Sequence, residues 1–334
     1  MAAPGTSLPR VALIGCGGTI STVVSGPFDT LDYPETGTKL AAAEVLAEMP
    51  ELAAFADLRP VPFREVGSSK IGPDDWLALA RTVQETLDAD PELAGVMILH
   101  GTATLEETAF FLDLTVESDR PVVLVGAQRP LHTAGSDAVS NAAAALRTVI
   151  APEARDRGVL VVLNDEVHAA RDVSKRSTYR LQAFVSGAYG PIGVVDADRV
   201  VFRRRPDRAG LRFDPARIEA LPRVDVLYAV AGGDDVMARA CLAAGASGLV
   251  SAGFAPGMTS PAERDALADA ARQGVAVVQC SRAGSGRVAR RDALARGGWI
   301  AGGDLPPHKA RILLMLGLTR TADPERLQQD FDEV

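Results

Sequence analysis

The sequence predicts an α/β fold in two parts: a larger N-terminal three-layer α/β domain with a mostly parallel sheet, and a smaller C-terminal α/β domain. Three observations predict it. Strand-length apolar runs alternate with helix-length stretches, an Arg- and Pro-rich segment breaks the alternation, and the pattern resumes beyond the break. In the first part the apolar runs are residues 11–15, 95–99, 121–126 and 159–163, and the helical stretches are about 39–56, 73–88, 104–116 and 137–150. The break spans Phe202 to Arg223. The alternation then continues through Val224 to Val230, Val236 to Ala244, Gly248 to Ser251, Pro261 to Gln273 and Val275 to Gln279. The expected boundaries are therefore 1–205 for the larger domain, 206–222 for a linker and 223–334 for the smaller domain.

Taken in chain order, Arg10-Val11-Ala12-Leu13-Ile14-Gly15 is the first strand, and it runs into Cys16-Gly17-Gly18-Thr19-Ile20. The paired glycines permit close backbone approach and leave Thr19 exposed at the turn. The loop is not a dinucleotide fingerprint, because the last position of G-x-G-x-x-G is Ile20 and no capped helix follows directly. Gly95 to Leu99 reads as a buried strand, and Leu105 to Val116 as a helix on which Phe110, Phe111 and Leu114 share one face. Thr104 and Glu107 have capping-box spacing, which starts that helix and leaves Thr102 and Ala103 in the turn before it. Backbone N–H groups and the helix dipole at such a turn favour a developing negative charge. Open parallel sheets bind ligands outside the carboxyl ends of their strands, where Thr19, Thr102 and Gly126-Ala127 all fall.

Composition bounds the partners. The chain carries 35 basic and 43 acidic residues for a net charge of -8, which argues against nucleic acid as a ligand, and Arg203-Arg204-Arg205 is read as a solvated domain edge. No membrane-spanning run is present, and residues 1–10 lack the basic start and apolar core of a signal peptide, so the expected location is the cytoplasm. The 3 cysteines, Cys16, Cys241 and Cys280, are odd in number and lack metal-ligand spacing, which predicts reduced thiols and no zinc site. His100, His132, His168 and His308 are scattered, and each is read as structural.

The two threonine turns together resemble the bacterial L-asparaginases, threonine-nucleophile amidohydrolases. The resemblance rests on Gly17-Gly18-Thr19-Ile20 and His100 to Ala109, on Pro121 to Pro130, Ser136-Asp137, Gly158 to Asp165 and Arg171 to Lys175, and on Leu249 to Gly253 and Pro307 to Leu314. It implies that Thr19 attacks the amide carbon and that Tyr33, in the flap-like segment Gly26 to Gly37, assists it. It implies that Thr102 and Lys175 form a second group, with burial lowering the lysine pKa. Gly18, Ser68, Gly101, Ala103 and Ala127 are the implied substrate-binding positions: the N–H groups of Gly18 and Ala103 serve the oxyanion, Ser68 the substrate carboxylate, and Gly126-Ala127 the leaving nitrogen. Ser136-Asp137 is read as support for the Thr102 turn. The resemblance implies no metal or organic cofactor, a small-molecule amide as ligand, and a homodimer or homotetramer with active sites at subunit interfaces.

The sequence departs from the family at the substrate ammonium. A carboxylate usually follows the second threonine, and here that position is Ala103. Alignment by flanking pattern puts Gly232 where the family has an asparagine, and Ser281 to Gly298 contains no glutamate, its only carboxylate being Asp292. Asp234, Asp235 and Arg287 are the available replacements. The leading expectation is hydrolysis of a linear or cyclic amide lacking the α-amino group of asparagine. An ordinary L-asparaginase with an engineered Asp-to-Ala change at 103, and a non-catalytic ligand-binding homologue, are the alternatives.

Overall fold

β1 (Arg10–Gly15) sits inside the main sheet because every residue after Arg10 is apolar or glycine and buried, the signature of a strand covered on both faces. The computed structural model describes residues 7–206 and 210–334, in two units, Met1–Arg208 and Ala209–Val334. In the first unit, β1 is followed by a ribbon of β2 (Thr22–Val23) and β3 (Thr38–Lys39), with the short helix α1 (Tyr33–Thr36) between them. Then come α2 (Ala42–Glu48), β4 (Asp57–Val61), α3 (Pro73–Ala89), β5 (Leu93–Leu99), α4 (Leu105–Thr115), β6 (Val122–Val125), α5 (Ala138–Ile150) and β7 (Val159–Leu163). The unit continues with β8 (Glu166–Ala169), the paired β9 (Ser174–Lys175) and β10 (Phe184–Val185), β11 (Gly193–Val195) and β12 (Val200–Phe202).

The main sheet has the order β12-β11-β8-β7-β6-β5-β1-β4. β4, β1, β5, β6 and β7 are parallel, and β8, β11 and β12 extend the sheet antiparallel. Val11, Leu13, Met97, Leu99 and Val123 pack with α2 and α5 on one face, while α3 and α4 pack on β5 and β7, with Trp76 stacked on Phe111 at 5.6 Å. These are the three layers expected.

The strand order places the site. The chain leaves β1 toward β4 on one side and leaves β5 toward β6 on the other, so the crevice at the carboxyl ends of β1 and β5 is a topological switch point. Three local expectations are corrected. The stretch 39–56 is not one helix: α2 ends at Glu48, and Pro50 opens a separate 3-10 turn through Ala54. β4 escaped notice because Arg59-Pro60 interrupts its apolar pattern, which an edge strand tolerates. α4 is buried nearly all round rather than on one face.

The second unit holds β13 (Val224–Tyr228), α6 (Val236–Ala243), β14 (Gly248–Gly253), α7 (Pro261–Arg272), β15 (Ala276–Ser281), α8 (Asp292–Arg296), β16 (Trp299–Ala301), α9 (Pro307–Leu318) and α10 (Pro324–Glu333). Its four strands are parallel in sequence order, around Leu249, Val277 and Leu267. Of the expected linker, residues 207–209 lie outside the described residues. The remainder from 210 belongs to the second unit, where Leu211, Phe213 and Ile218 are buried and Arg320 lies 5.0 Å over the Phe213 ring.

Candidate active site

The turn after β1 is built by glycine. Gly17 and Gly18 have φ of +77° and +84°, a region that favours residues without a Cβ, and a Cβ on Gly18 would lie 2.1 Å from the Gly101 Cα. A Cβ on Gly101 would in turn lie 2.7 Å from Ser68 Oγ. The Thr19 and Thr102 turns are thus held at backbone contact, with the Ser68 side chain packed against Gly101. Ser21 Oγ and Thr22 Oγ1 donate to the Gly18 carbonyl at 3.0 and 2.8 Å, which fixes the short 3-10 turn Thr19–Ser21.

Thr19 Oγ1 lies 3.0 Å from Tyr33 Oη. Tyr33 opens α1 within the connection between β2 and β3, so the ribbon ties this segment down at both ends. The loop after β6 adds two anchors: Leu131 N donates to Thr22 O and Ala134 N donates to Pro27 O. Beyond Pro27, Phe28 and Leu31 are exposed.

At the second turn Thr102 is buried, and Lys175 Nζ donates to its Oγ1 at 2.6 Å. Burial pushes the Lys175 ammonium below its usual pKa, and Glu106 partly offsets this by favouring the charged form. Glu106 Oε1 also accepts the Lys175 backbone N–H at 3.1 Å. Ala103 is exposed, and its N–H donates to Ser68 Oγ at 3.2 Å. Ala127 is fully buried beneath the turn, and a Cβ on Gly126 would crowd the Thr102 methyl at 2.9 Å.

Two expected roles are revised. The Gly18 N–H donates to Val66 O at 3.0 Å, so backbone pairing already occupies the group expected to serve an oxyanion. Thr104 is the N-cap residue of α4 by position, but its hydroxyl donates to Ser68 O at 2.9 Å rather than closing a capping box.

Sequence reasoning passed over three side chains. Gln128 Oε1 accepts from Lys175 Nζ at 3.3 Å and from Thr102 Oγ1 at 3.4 Å. The Gln128 and Arg129 N–H groups donate to Asp137, which also accepts from Asn141, so Asp137 reaches the Thr102 turn through Gln128 and Asn141. Asn141 additionally donates to Gly126 O at 3.0 Å. The third is Glu106, which looked like an ordinary first-turn carboxylate. Gln128 stood beside Ala127 in a motif already singled out, and its polar side chain next to a buried floor was the available signal.

His100 is a buried structural residue with a defined tautomer. Trp76 Nε1 donates to Thr108 Oγ1, which leaves the Thr108 hydroxyl to donate to His100 Nε2 and His100 Nδ1 to donate to Gly101 O. Burial pushes the ring pKa from 6.5 down to about 4. The unfolded chain takes up this proton near pH 6.5 and the folded chain only near pH 4. Stability from this group is therefore full above pH 6.5 and is lost as pH falls to 4, by on the order of 3 kcal/mol. Urea unfolding of the wild type and of His100→Asn across that range checks it, the variant showing the weaker pH dependence.

The thiols of Cys16 and Cys280 are buried and pushed up in pKa, which makes them poor nucleophiles. Among the described residues no cluster of His, Cys, Asp and Glu is placed to hold a metal, and no helix is long and apolar enough to cross a membrane. In the second unit, Gly232 has φ of +76°, Asp234 Oδ1 accepts from Val236 N, Asp235 pairs with Arg239 at 2.6 Å, and Asp292 lies 3.9 Å from Arg296.

Comparison with known proteins agrees across the chain. The family model described as Asparaginase, N-terminal, matches residues 10–208, and that of the Glutaminase/Asparaginase C-terminal domain matches residues 223–331. The chain is similar to L-asparaginase 2 of Escherichia coli K12, at 36% identity over 98% of this chain and 94% of the relative. It is also similar to the glutaminase-asparaginase of Pseudomonas fluorescens biotype A, at 34% identity over 98% of this chain and 91% of the relative. Among solved structures, the probable cytoplasmic L-asparaginase of Campylobacter jejuni superposes with a TM-score of 0.92 at 35% identity, covering 98% of this chain and 100% of that one.

Proposed function

Because the chain belongs to the bacterial asparaginase family of amidohydrolases, we propose that it hydrolyses a small carboxamide, or a cyclic imide or lactam, lacking the α-ammonium of asparagine. The observation that carries this reading is Ala103. It offers no charge beside the Thr102–Lys175 pair, and the nearest carboxylate of α4, Glu106, is engaged by the Lys175 backbone. Burying an ammonium without a counter-charge costs several kcal/mol, or about two decades of affinity.

The chemistry follows from the two hydroxyl turns. Thr19 Oγ attacks the amide carbon as its proton passes to Tyr33 Oη, the group 3.0 Å away, while the Tyr33 hydroxyl hands its own proton on to the amide nitrogen. The C–N bond breaks as the nitrogen takes that relayed proton, and the acyl group remains on Thr19 as an ester with Tyr33 again a neutral phenol. Water then adds to the ester carbon as the Thr102–Lys175 pair takes its proton, and a proton is returned from the pair to Thr19 Oγ as the C–O bond breaks, releasing the acid and the Thr19 hydroxyl. Ser68 Oγ, already beside the Ala103 N–H, receives the distal carboxylate of the substrate.

The test is ammonia release, or ring opening, over asparagine, succinamate, maleamate, succinimide and small lactams. A substrate without the amino group is expected to exceed asparagine in kcat/KM, and Ala103→Asp is expected to shift the ratio toward asparagine by about 100-fold. Faster turnover of asparagine by the wild type overturns the specificity. Turnover of none of the panel overturns catalysis in favour of ligand binding. We further assign the active form to a homodimer or homotetramer and its compartment to the cytoplasm, the latter in keeping with three free cysteines.

A further inference from the structure

We propose that Gln128 is a positioning residue for the Lys175–Thr102 pair, its side-chain carbonyl acting as the neutral acceptor that directs the Lys175 amine at the Thr102 hydroxyl. This rests on the reading of that pair as the proton-handling group of the site. The geometry is specific. Gln128 Oε1 faces both partners, at 3.3 Å from Lys175 Nζ and 3.4 Å from Thr102 Oγ1, and these are themselves 2.6 Å apart.

An ammonium has only N–H groups to offer, so it donates to Thr102 and Gln128 while the Thr102 hydroxyl turns its own proton toward Gln128. Once the ammonium loses its proton, the amine keeps an N–H on Gln128 Oε1, and its lone pair is left facing Thr102. The hydroxyl proton then swings to the nitrogen. Gln128 is an acceptor in both states, so its amide does not have to turn between them.

The amide orientation has a cost. With Oε1 on the pair, Gln128 Nε2 is buried without a hydrogen-bond partner among the described residues, which costs stability. The opposite orientation would set an N–H donor against an ammonium. The backbone of Gln128 is fixed independently, because its N–H donates to both oxygens of Asp137 at 3.1 and 3.0 Å, and Asn141 holds that carboxylate from α5.

The charged surroundings of Lys175 are few. α4 presents Glu106, Asp137 stands behind Gln128, and β10 contributes only Phe184 and Val185 opposite β9. On its own segment Asp172 is paired with Arg171, and Arg176 is exposed. A charge placed at position 128 therefore acts on Lys175 directly.

Lys39, Lys70, Lys175 and Lys309 are the only lysines of the chain, so lysine-labelled protein gives four side-chain signals, and Lys175→Met assigns the relevant one. In Gln128→Glu, an opposite charge in contact is expected to raise the pH at which Lys175 releases its proton by about one unit or more, and to move the acidic limb of the rate profile with it. In Gln128→Met, which keeps the volume and removes the acceptor, kcat is expected to fall at least about tenfold with KM within about threefold, and the limb does not move upward. An unshifted Lys175 titration in Gln128→Glu, or an undiminished kcat in folded Gln128→Met, overturns the role. The titration needs no turnover, so an inactive wild type would refute the proposed reaction while the lysine signal still decides the case of Gln128.

Discussion

Thr19→Ala is expected to lower turnover of the best amide substrate by about 10,000-fold or more, with stability changed by no more than about 0.5 kcal/mol. The two effects separate because of where the hydroxyl sits. It is half-buried at the mouth of a turn whose geometry Gly17, Gly18, Ser21 and Thr22 hold without it, and it lies 3.0 Å from Tyr33 Oη. Thr19→Ser keeps the oxygen on the same backbone and is expected to retain most of the lost rate. Steady-state kinetics beside thermal unfolding reads both. A Thr19→Ala protein that keeps within tenfold of wild-type turnover would remove Thr19 from the reaction.

Lys175→Met is the second large effect, an expected loss of about 100- to 10,000-fold in kcat, the span of a general-base contribution. Its signature lies in the pH profile. Burial favours the neutral amine of Lys175 and lowers its pKa, so the proposed base is present above that pKa and is titrated away as pH falls. The wild type should therefore lose rate on the acid side, and the variant should lack that limb. Glu106→Gln provides the sign control. Glu106 favours the charged lysine, so neutralising it moves the limb to lower pH, while the amide oxygen of glutamine can still accept the Lys175 backbone N–H. A limb that moves upward in Glu106→Gln, or persists in Lys175→Met, contradicts the assignment.

Much of the site was legible because its parts are local. Two glycines before Thr19 announce a turn that side chains would block, and the apolar runs before Thr19, Thr102 and Gly126 mark strand ends. What stayed hidden depends on partners distant in sequence. Gln128 looked like one polar residue in a loop, and only the folded chain brings its carbonyl to Lys175 and its backbone to Asp137. Glu106 likewise read as part of a helix start, yet it fastens the Lys175 backbone. The pairing of the Gly18 N–H was hidden for the same reason: it goes to Val66, in a segment whose approach to β1 no local pattern encodes.

By itself, the sequence determined the βα units, the two-part division and the hydroxyl groups at strand ends, since periodicity and glycine sterics act over a few residues. Only the tertiary structure decided that β1 lies between β4 and β5. That order makes their carboxyl ends a switch point and allows Gly18 to meet Gly101 at backbone distance. Strand order and hydrogen-bond ownership are set by packing between remote segments, and a donor that looks free in the chain is free in the molecule only if no neighbour has taken it.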